Sequence, residues 1–250
     1  MPTDLVLFLA IGFAAQLVDG ALGMAYGLTA TSALLSSGIA PAVASASVHT
    51  AEIFTTAASG AAHWRLGNVD RRLVWRLAPA GMVGGFLGAF LLANVPGDAM
   101  RPWVGLYLLL AGGVVLGRGF GWRSSSGVFV LPGGLAVGCG VIGGFLDAVG
   151  GGGWGALVTT SLLCTGLLPR SAVGTANCAE FFVTLTVSAT FFGIIGIELW
   201  PVIVGLILGG VVAAPIAAFI VRSAPEKPLM VLVGALVMLL ALRQLASFAS

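Results

Sequence analysis

Charge is what this 250-residue chain has least of. Aspartate, glutamate, lysine and arginine together make up 8% of it, against about 25% in a soluble globular protein, so it cannot clothe a water-facing surface. The net charge of +2, carried by ten arginines and one lysine against nine acids, is too small for a nucleic-acid partner. Three cysteines, Cys139, Cys164 and Cys178, are spaced by 25 and 14 residues; they fit neither a CxxC motif nor a disulfide framework and read as free thiols in helix cores. There are only two histidines, His49 and His63, and no HExxH, GxSxG or GxxxxGK[ST] pattern. That argues against a zinc protease, an ordinary serine hydrolase and a P-loop ATPase, and leaves an intramembrane hydrolase without a recognisable nucleophile and base. The alternating ten-residue strands of a porin-like barrel are missing too. No basic stretch precedes the first apolar run, so no cleavable signal peptide is expected.

What the chain does have is apolar surface and glycine. Apolar residues make up 58%, and the mean hydropathy is +1.09. Apolar runs fall at roughly 5–18, 21–36, 41–62, 73–94, 101–117, 128–147, 152–168, 171–194, 201–221 and 229–247. Several reach the roughly 20 residues of a spanning helix. The reading is an all-α, multi-pass membrane protein. Its 38 glycines, about double the usual share of roughly 7%, suit membrane helices that approach closely. The first two runs are too short to span with ease and meet at Asp19-Gly20, which predicts a short or broken helix pair that starts and finishes on one side.

The few basic residues orient the helices. Arg65, Arg71, Arg72 and Arg76, then Arg118 and Arg123, then Arg222 and Lys227 cluster at three connections, which marks those connections as cytoplasmic. The 195–200 turn has no basic residue and is placed outside, as is the 94–100 turn. The alternation closes with both termini outside.

Sliding the chain against itself by 128 residues aligns Asp19 with Asp147, Gly23 with Gly151, Gly27 with Gly155, Thr31 with Thr159, Pro41 with Pro169 and Glu52 with Glu180. Positions 19–56 hold 13 identities over 38 positions, where chance in so biased a composition gives about four. The chain therefore reads as a first repeat over 1–122 and a second over 123–250, each a broken helix pair plus about three spanning helices. Loop charges place the matching connections on opposite sides, which an odd number of crossings per half produces. Inverted repeats of that kind are characteristic of secondary transporters; an even number would make the repeats parallel.

Four of the nine acids sit inside apolar runs or at their joints, as the pairs Asp19/Asp147 and Glu52/Glu180. An acid at mid-membrane costs roughly 2.5–3.5 kcal/mol on insertion scales, so it faces a cavity, finds a partner or is protonated. All four are candidate proton carriers. The alternative is a structural reading, as carboxyls that tie helices together, which the recurrence of both pairs at matching positions makes the weaker one. His49 and Glu52 share a helical face, as do Asn177 and Glu180; this cluster either lines a polar path or makes a satisfied structural hydrogen bond. The four glycines Gly150 to Gly153 break the helix, and the N–H groups of the half-helix starting near Trp154 suit an anion. Ser45, Ser47, Thr50 and Thr175 are hydroxyls able to bond oxyanion oxygens, although small hydroxyls also pack helices.

With Gln16-Leu17-Val18-Asp19-Gly20 followed by Gly23 and Gly27, Gly-Ile-Ala-Pro from Gly38 to Pro41, and the same pattern again from Asp147 to Gly155, the chain resembles the sulfite exporter TauE/SafE family, also described as the 4-toluene sulfonate uptake permease family. The resemblance spans almost the whole chain. It implies a small, internally duplicated permease of the bacterial inner membrane that moves sulfur-containing anions such as sulfite, sulfonates or thiosulfate, with no prosthetic group and with membrane lipid as its surroundings. The halves diverge at the positions expected to face the ligand: His49 against Asn177, Thr50 against Cys178, Tyr26 against Trp154.

The expectation is a non-enzymatic, alternating-access carrier of a small anion. Its candidate binding residues are Gln16, Asp19, Gly20, Gly23, Ser47, His49 and Thr50 in the first half, and Asp147, Gly150, Gly151, Gly152, Trp154, Thr175 and Asn177 in the second. No metal site is expected. A carrier of a cation held by the intramembrane carboxylates, and a non-transporting scaffold or receptor subunit, are the alternatives.

Overall fold

The computed structural model describes residues 2–22, 25–121, 133–164, 167–196, 200–220 and 226–249. Among them the chain is helical, with no strand: α1 (Pro2–Leu22), α2 (Tyr26–Ser36), α3 (Pro41–Arg65), α4 (Arg71–Asn94), α5 (Gly97–Gly119), α6 (Gly133–Gly150), a π turn (Gly155–Thr159) running into α7 (Thr160–Cys164), α8 (Pro169–Ile194), α9 (Trp200–Ile220) and α10 (Glu226–Ala249). Gly23, Arg123, Glu198 and Arg222 lie outside the described residues, as does the 122/123 boundary between the proposed repeats.

Local chemistry sets the helix starts. Pro41 and Pro169 open α3 and α8, where the missing N–H costs nothing. Asp70 caps α4 by accepting from the N–H groups of Arg72 and Leu73. Between α6 and the π turn, Gly151, Gly152 and Gly153 all have positive φ, at 69°, 142° and 134°, a backbone path closed to other residues.

Among the described residues, four helices are long and apolar enough to cross a membrane: Arg71–Asn94, Gly97–Gly119, Gly133–Gly150 and Arg170–Ile194. The molecule is polarised as a membrane protein must be. Large apolar side chains such as Val83, Phe86, Phe90, Leu110, Ile142, Val211 and Leu239 are exposed, while Thr31, Ser45, His49, Glu52, Asp147, Thr159, Thr175 and Thr184 are buried. In water that arrangement would expose hundreds of Å² of apolar patch; in lipid it costs nothing.

The first break departs from the expectation. The apolar runs put it at Asp19-Gly20, yet α1 continues to Leu22 and α2 is correspondingly short, at 11 residues. The helix runs on because the Asp19 carboxylate turns forward to cap α2 and does not end its own helix. At about 1.5 Å per residue α2 is roughly 16 Å long, half of a hydrocarbon core of about 30 Å.

Close packing holds the bundle. α1 packs on α9, α4 on α6, α5 on α10, and α8 on both α3 and α4. At the 128-residue offset the α1–α9 pair has α6–α4 as its counterpart, while α5–α10 and α3–α8 map onto themselves. Backbones touch where glycines face each other: a Cβ at Gly144 would overlap the Gly81 carbonyl oxygen, and one at Gly209 would overlap the Leu9 carbonyl oxygen. A Cβ at Gly138, on the same α6 helix, meets nothing within 4 Å. Gly144→Ala is therefore expected to cost about 1–3 kcal/mol through overpacking, whereas Gly138→Ala is neutral or slightly stabilising; thermal unfolding of the purified variants in detergent separates the two.

Candidate functional site

The two breaks are built alike from one residue type. Asp19 Oδ1 accepts from the backbone N–H of Ala25 at 2.9 Å and of Tyr26 at 3.2 Å. At the matching place, Asp147 Oδ1 accepts from the N–H of Trp154 at 2.8 Å. Each aspartate caps the short helix that follows it. The first N–H groups of a helix have no partner in their own helix, and an unmet one in hydrocarbon costs several kcal/mol. A carboxylate there also meets the positive end of the helix dipole. The helix starts considered for a substrate anion thus already hold the protein's own.

The glycine run is held on its carbonyls. Thr31 Oγ1 donates to Gly151 O, Tyr107 OH donates to Gly152 O at 2.9 Å, and the Gly152 N–H donates to Asp147 O at 2.9 Å. The start of α2 lies directly against this run, since a Cβ on Gly27 would sit 2.6 Å from the Gly152 Cα. Gly150 packs under the Tyr107 ring, which a Cβ there would strike. The start of α2 and the glycine run, one from each half of the chain, are thus in direct contact.

Beside them lies a cavity of about 150 Å³. Gln16 and Asp19 of α1, Tyr26 and Gly27 of α2, Glu52, Thr55, Thr56, Ser59 and His63 of α3, Gly153, Gly155, and Val173, Asn177 and Glu180 of α8 line it. It is small beside the roughly 300–1,000 Å³ of sites for drug-sized ligands, which suits a ligand of few atoms. The α3 residues fall at steps of three, one, three and four, one stripe of a helix. They lead from buried Glu52 to half-buried His63, toward the connection that carries Arg71 and Arg72. Among the described residues, nothing bonds the buried Glu52 Oε2 and Gln16 Oε1, two polar oxygens on residues that line the cavity.

His49 stands on the other side of the break. It is fully buried, with Nε2 at 3.1 Å from Asp147 Oδ2 and Nδ1 at 2.8 Å from Ser45 O. Ser45 Oγ donates to Ala148 O at 2.7 Å, so its proton is already used. Nδ1 therefore carries the hydrogen given to Ser45 O, and Nε2 and Oδ2 share one proton. Wherever that proton rests, the pair is electrically neutral, which is how it tolerates burial.

The candidate residues accordingly divide. Gln16, Asp19, Glu52, Asn177 and Glu180 line the cavity. Asp147 and His49 lock the second break, and Gly150, Gly151 and Gly152 shape it. Trp154 is fully buried, with its ring against Gly81 and Nε1 donating to Ala176 O at 3.1 Å. Ser47 and Thr50 bond back along their own helix to Val43 O and Ala46 O. Thr175 Oγ1 accepts from the Asp70 N–H at 2.9 Å and so fixes the start of α4. Gly20 lies in the last turn of α1. Sequence reasoning passed over Thr55, Thr56, Ser59 and His63; their signal was the spacing of polar residues on one face of an apolar helix.

Comparison with known proteins bears on what such a cavity serves. A family model described as "Sulfite exporter TauE/SafE" matches residues 8–244. A protein of Bacillus subtilis (strain 168) described as "Probable membrane transporter protein YtnM" is 46% identical over 247 residues, covering 96% of this chain and 82% of that protein. No solved structure matches significantly.

The two aspartates should differ sharply when removed. Asp147→Ala leaves a buried histidine and a buried N–H without their acceptor, and is expected to cost about 3–5 kcal/mol. Asp19→Ala frees two N–H groups, but Asp19 and Tyr26 border the polar cavity, where water can meet them, so its cost stays at that of a lost cap, about 0.5–2 kcal/mol. Denaturant unfolding in detergent measures both.

Proposed function

The chain belongs to the sulfite exporter TauE/SafE family of membrane transporters, and on that premise we propose that it carries a small sulfur-containing anion, sulfite or an organosulfonate, across the bacterial inner membrane by alternating access with proton coupling. One observation carries the reading: a cavity of a few atoms' size, at the meeting of two helix breaks, lined by Asp19, Glu52 and Glu180 together with the amides of Gln16 and Asn177 and the hydroxyls of Thr55, Thr56 and Ser59.

The acids supply the coupling. A carboxylate facing an anion repels it, and the repulsion is strong where water is scarce. Asp19 is committed to its cap, whereas Glu52 and Glu180 bond no backbone N–H among the described residues. An anion therefore enters with protons on these glutamates, and a protonated carboxyl turns from repelling the oxyanion to donating a hydrogen bond to it. Anion binding and proton uptake become one event, and release on the far side returns both.

The halves are proposed to be inverted repeats, 1–122 and 123–250. The exchange of α1–α9 for α6–α4 at the 128-residue offset and the matched aspartate caps support the duplication, and the loop charges support its inversion. The polar stripe on α3 then points to the cytoplasm by the loop-charge rule. The alternative, a cation held by oxygen ligands, has less behind it: among the described residues no three His, Cys, Asp or Glu side chains converge closely enough to hold a metal ion.

Uptake of labelled sulfite into proteoliposomes tests the first reading. A proton gradient imposed in the direction of anion movement is expected to speed uptake, and Glu52→Gln and Glu180→Gln to abolish that acceleration. Rates indifferent to both substitutions would remove the proton mechanism. Absence of sulfite transport, with thermal stabilisation by divalent cations, would favour the cation.

A further inference from the structure

The two breaks are docked unequally. The break after α6 is seated on α3: Ser45 Oγ donates to Ala148 O at 2.7 Å, and His49 Nε2 lies 3.1 Å from Asp147 Oδ2. The positions 128 residues away from Ser45, His49 and Asp147 are Val173, Asn177 and Asp19, and all three line the cavity. There the bond is not made. Asn177 Nδ2 donates to Ser59 Oγ at 2.7 Å, and no described residue bonds Asp19 Oδ2. α6 packs on α3, while α1 has no comparable contact with α8.

The walls differ in the same sense. Thr55, Thr56, Ser59 and His63 form the polar path. The positions 128 residues on are Val183, Thr184, Val187 and Phe191, and all four are fully buried. One surface, present twice, is open in one half and sealed in the other.

We propose that transport proceeds by exchanging these two arrangements, with Asp19, Asn177 and His49 as the positioning residues. The Asp19 end of α1 swings onto α8, Asn177 Nδ2 leaves Ser59 and donates to Asp19 Oδ2, and the Thr55–His63 path closes. The break after α6 lifts from α3, the His49–Asp147 bond parts, and the face around Val187 opens. Each aspartate keeps its cap through Oδ1 throughout and uses Oδ2 as the latch, so the breaks move as rigid units without exposing an N–H. The two latches are unequal. A proton shared between imidazole and carboxylate holds more strongly than a neutral amide on a carboxylate, so the resting protein is the one with α6 docked.

The proposal rests on the carrier reading, and its test uses no substrate. In protein whose Cys139, Cys164 and Cys178 are replaced by alanine, Asp19→Cys is paired with Asn177→Cys. Gln16→Cys with Asn177→Cys is a second pair that leaves the cap of α2 in place. Mild oxidation in native membranes, followed by peptide mass analysis, reads the cross-link. Both pairs are expected to form it, and adding His49→Ala, which frees the α6 latch, is expected to raise its rate by about tenfold or more, as loss of one charge-assisted hydrogen bond shifts a two-state population. Thiols that remain free in both pairs, or a rate unchanged by His49→Ala, overturn the exchange. Loss of sulfite uptake alone overturns only the substrate.

Discussion

A bilayer offers no water to backbone N–H and C=O groups, and this chain interrupts its apolar helices twice, after α1 and after α6. Everything at the centre of the molecule answers that constraint. Asp19 and Asp147 each turn one carboxylate oxygen onto the first N–H groups of a short helix. Thr31 and Tyr107 bond the carbonyls of the glycine run. Once the backbone is satisfied in this way, two half-length helices can end deep in the protein, and their ends leave room that continuous helices would fill.

The four intramembrane acids therefore have two occupations. The aspartates hold backbone, and Asp147 also holds His49. The glutamates do neither: Glu52 is 4% exposed with Oε2 unpartnered, an arrangement that costs stability and that packing alone has no reason to retain. Cost of that kind is common at sites that bind or move a proton. Glycine shows the same split. Between α4 and α6, and between α1 and α9, it only lets backbones touch, whereas at Gly151 to Gly153 it bends the chain through conformations no other residue accepts.

Much of this was legible in the residues. Too few charges for water and long apolar runs pointed to a helical membrane protein, and two acid pairs at a fixed offset pointed to two helix breaks at matched positions. The position of the first break was misread because an aspartate in an apolar run looks like a helix end, whereas here it serves the next helix. Ser47 and Thr50 looked like ligand donors, yet each bonds the carbonyl four residues back, and spacing does not reveal which way a hydroxyl rotates. His49 was paired with Glu52, its neighbour on the helix; its actual partner, Asp147, is 98 residues away, a contact only tertiary packing makes. The stripe from Thr55 to His63 was visible in principle but reads as ordinary small-residue packing until a cavity lies beside it.

The central claim is that the space between the two breaks is where the substrate rests. An electron cryo-microscopy structure of the protein in lipid nanodiscs with saturating sulfite tests it most directly. Density for one anion is expected against Glu52, Glu180, Gln16 and Asn177, with Asp19 and Asp147 still on their helix ends. Density at a site remote from both breaks, or an empty cavity in protein that transports sulfite from the same preparation, would contradict it.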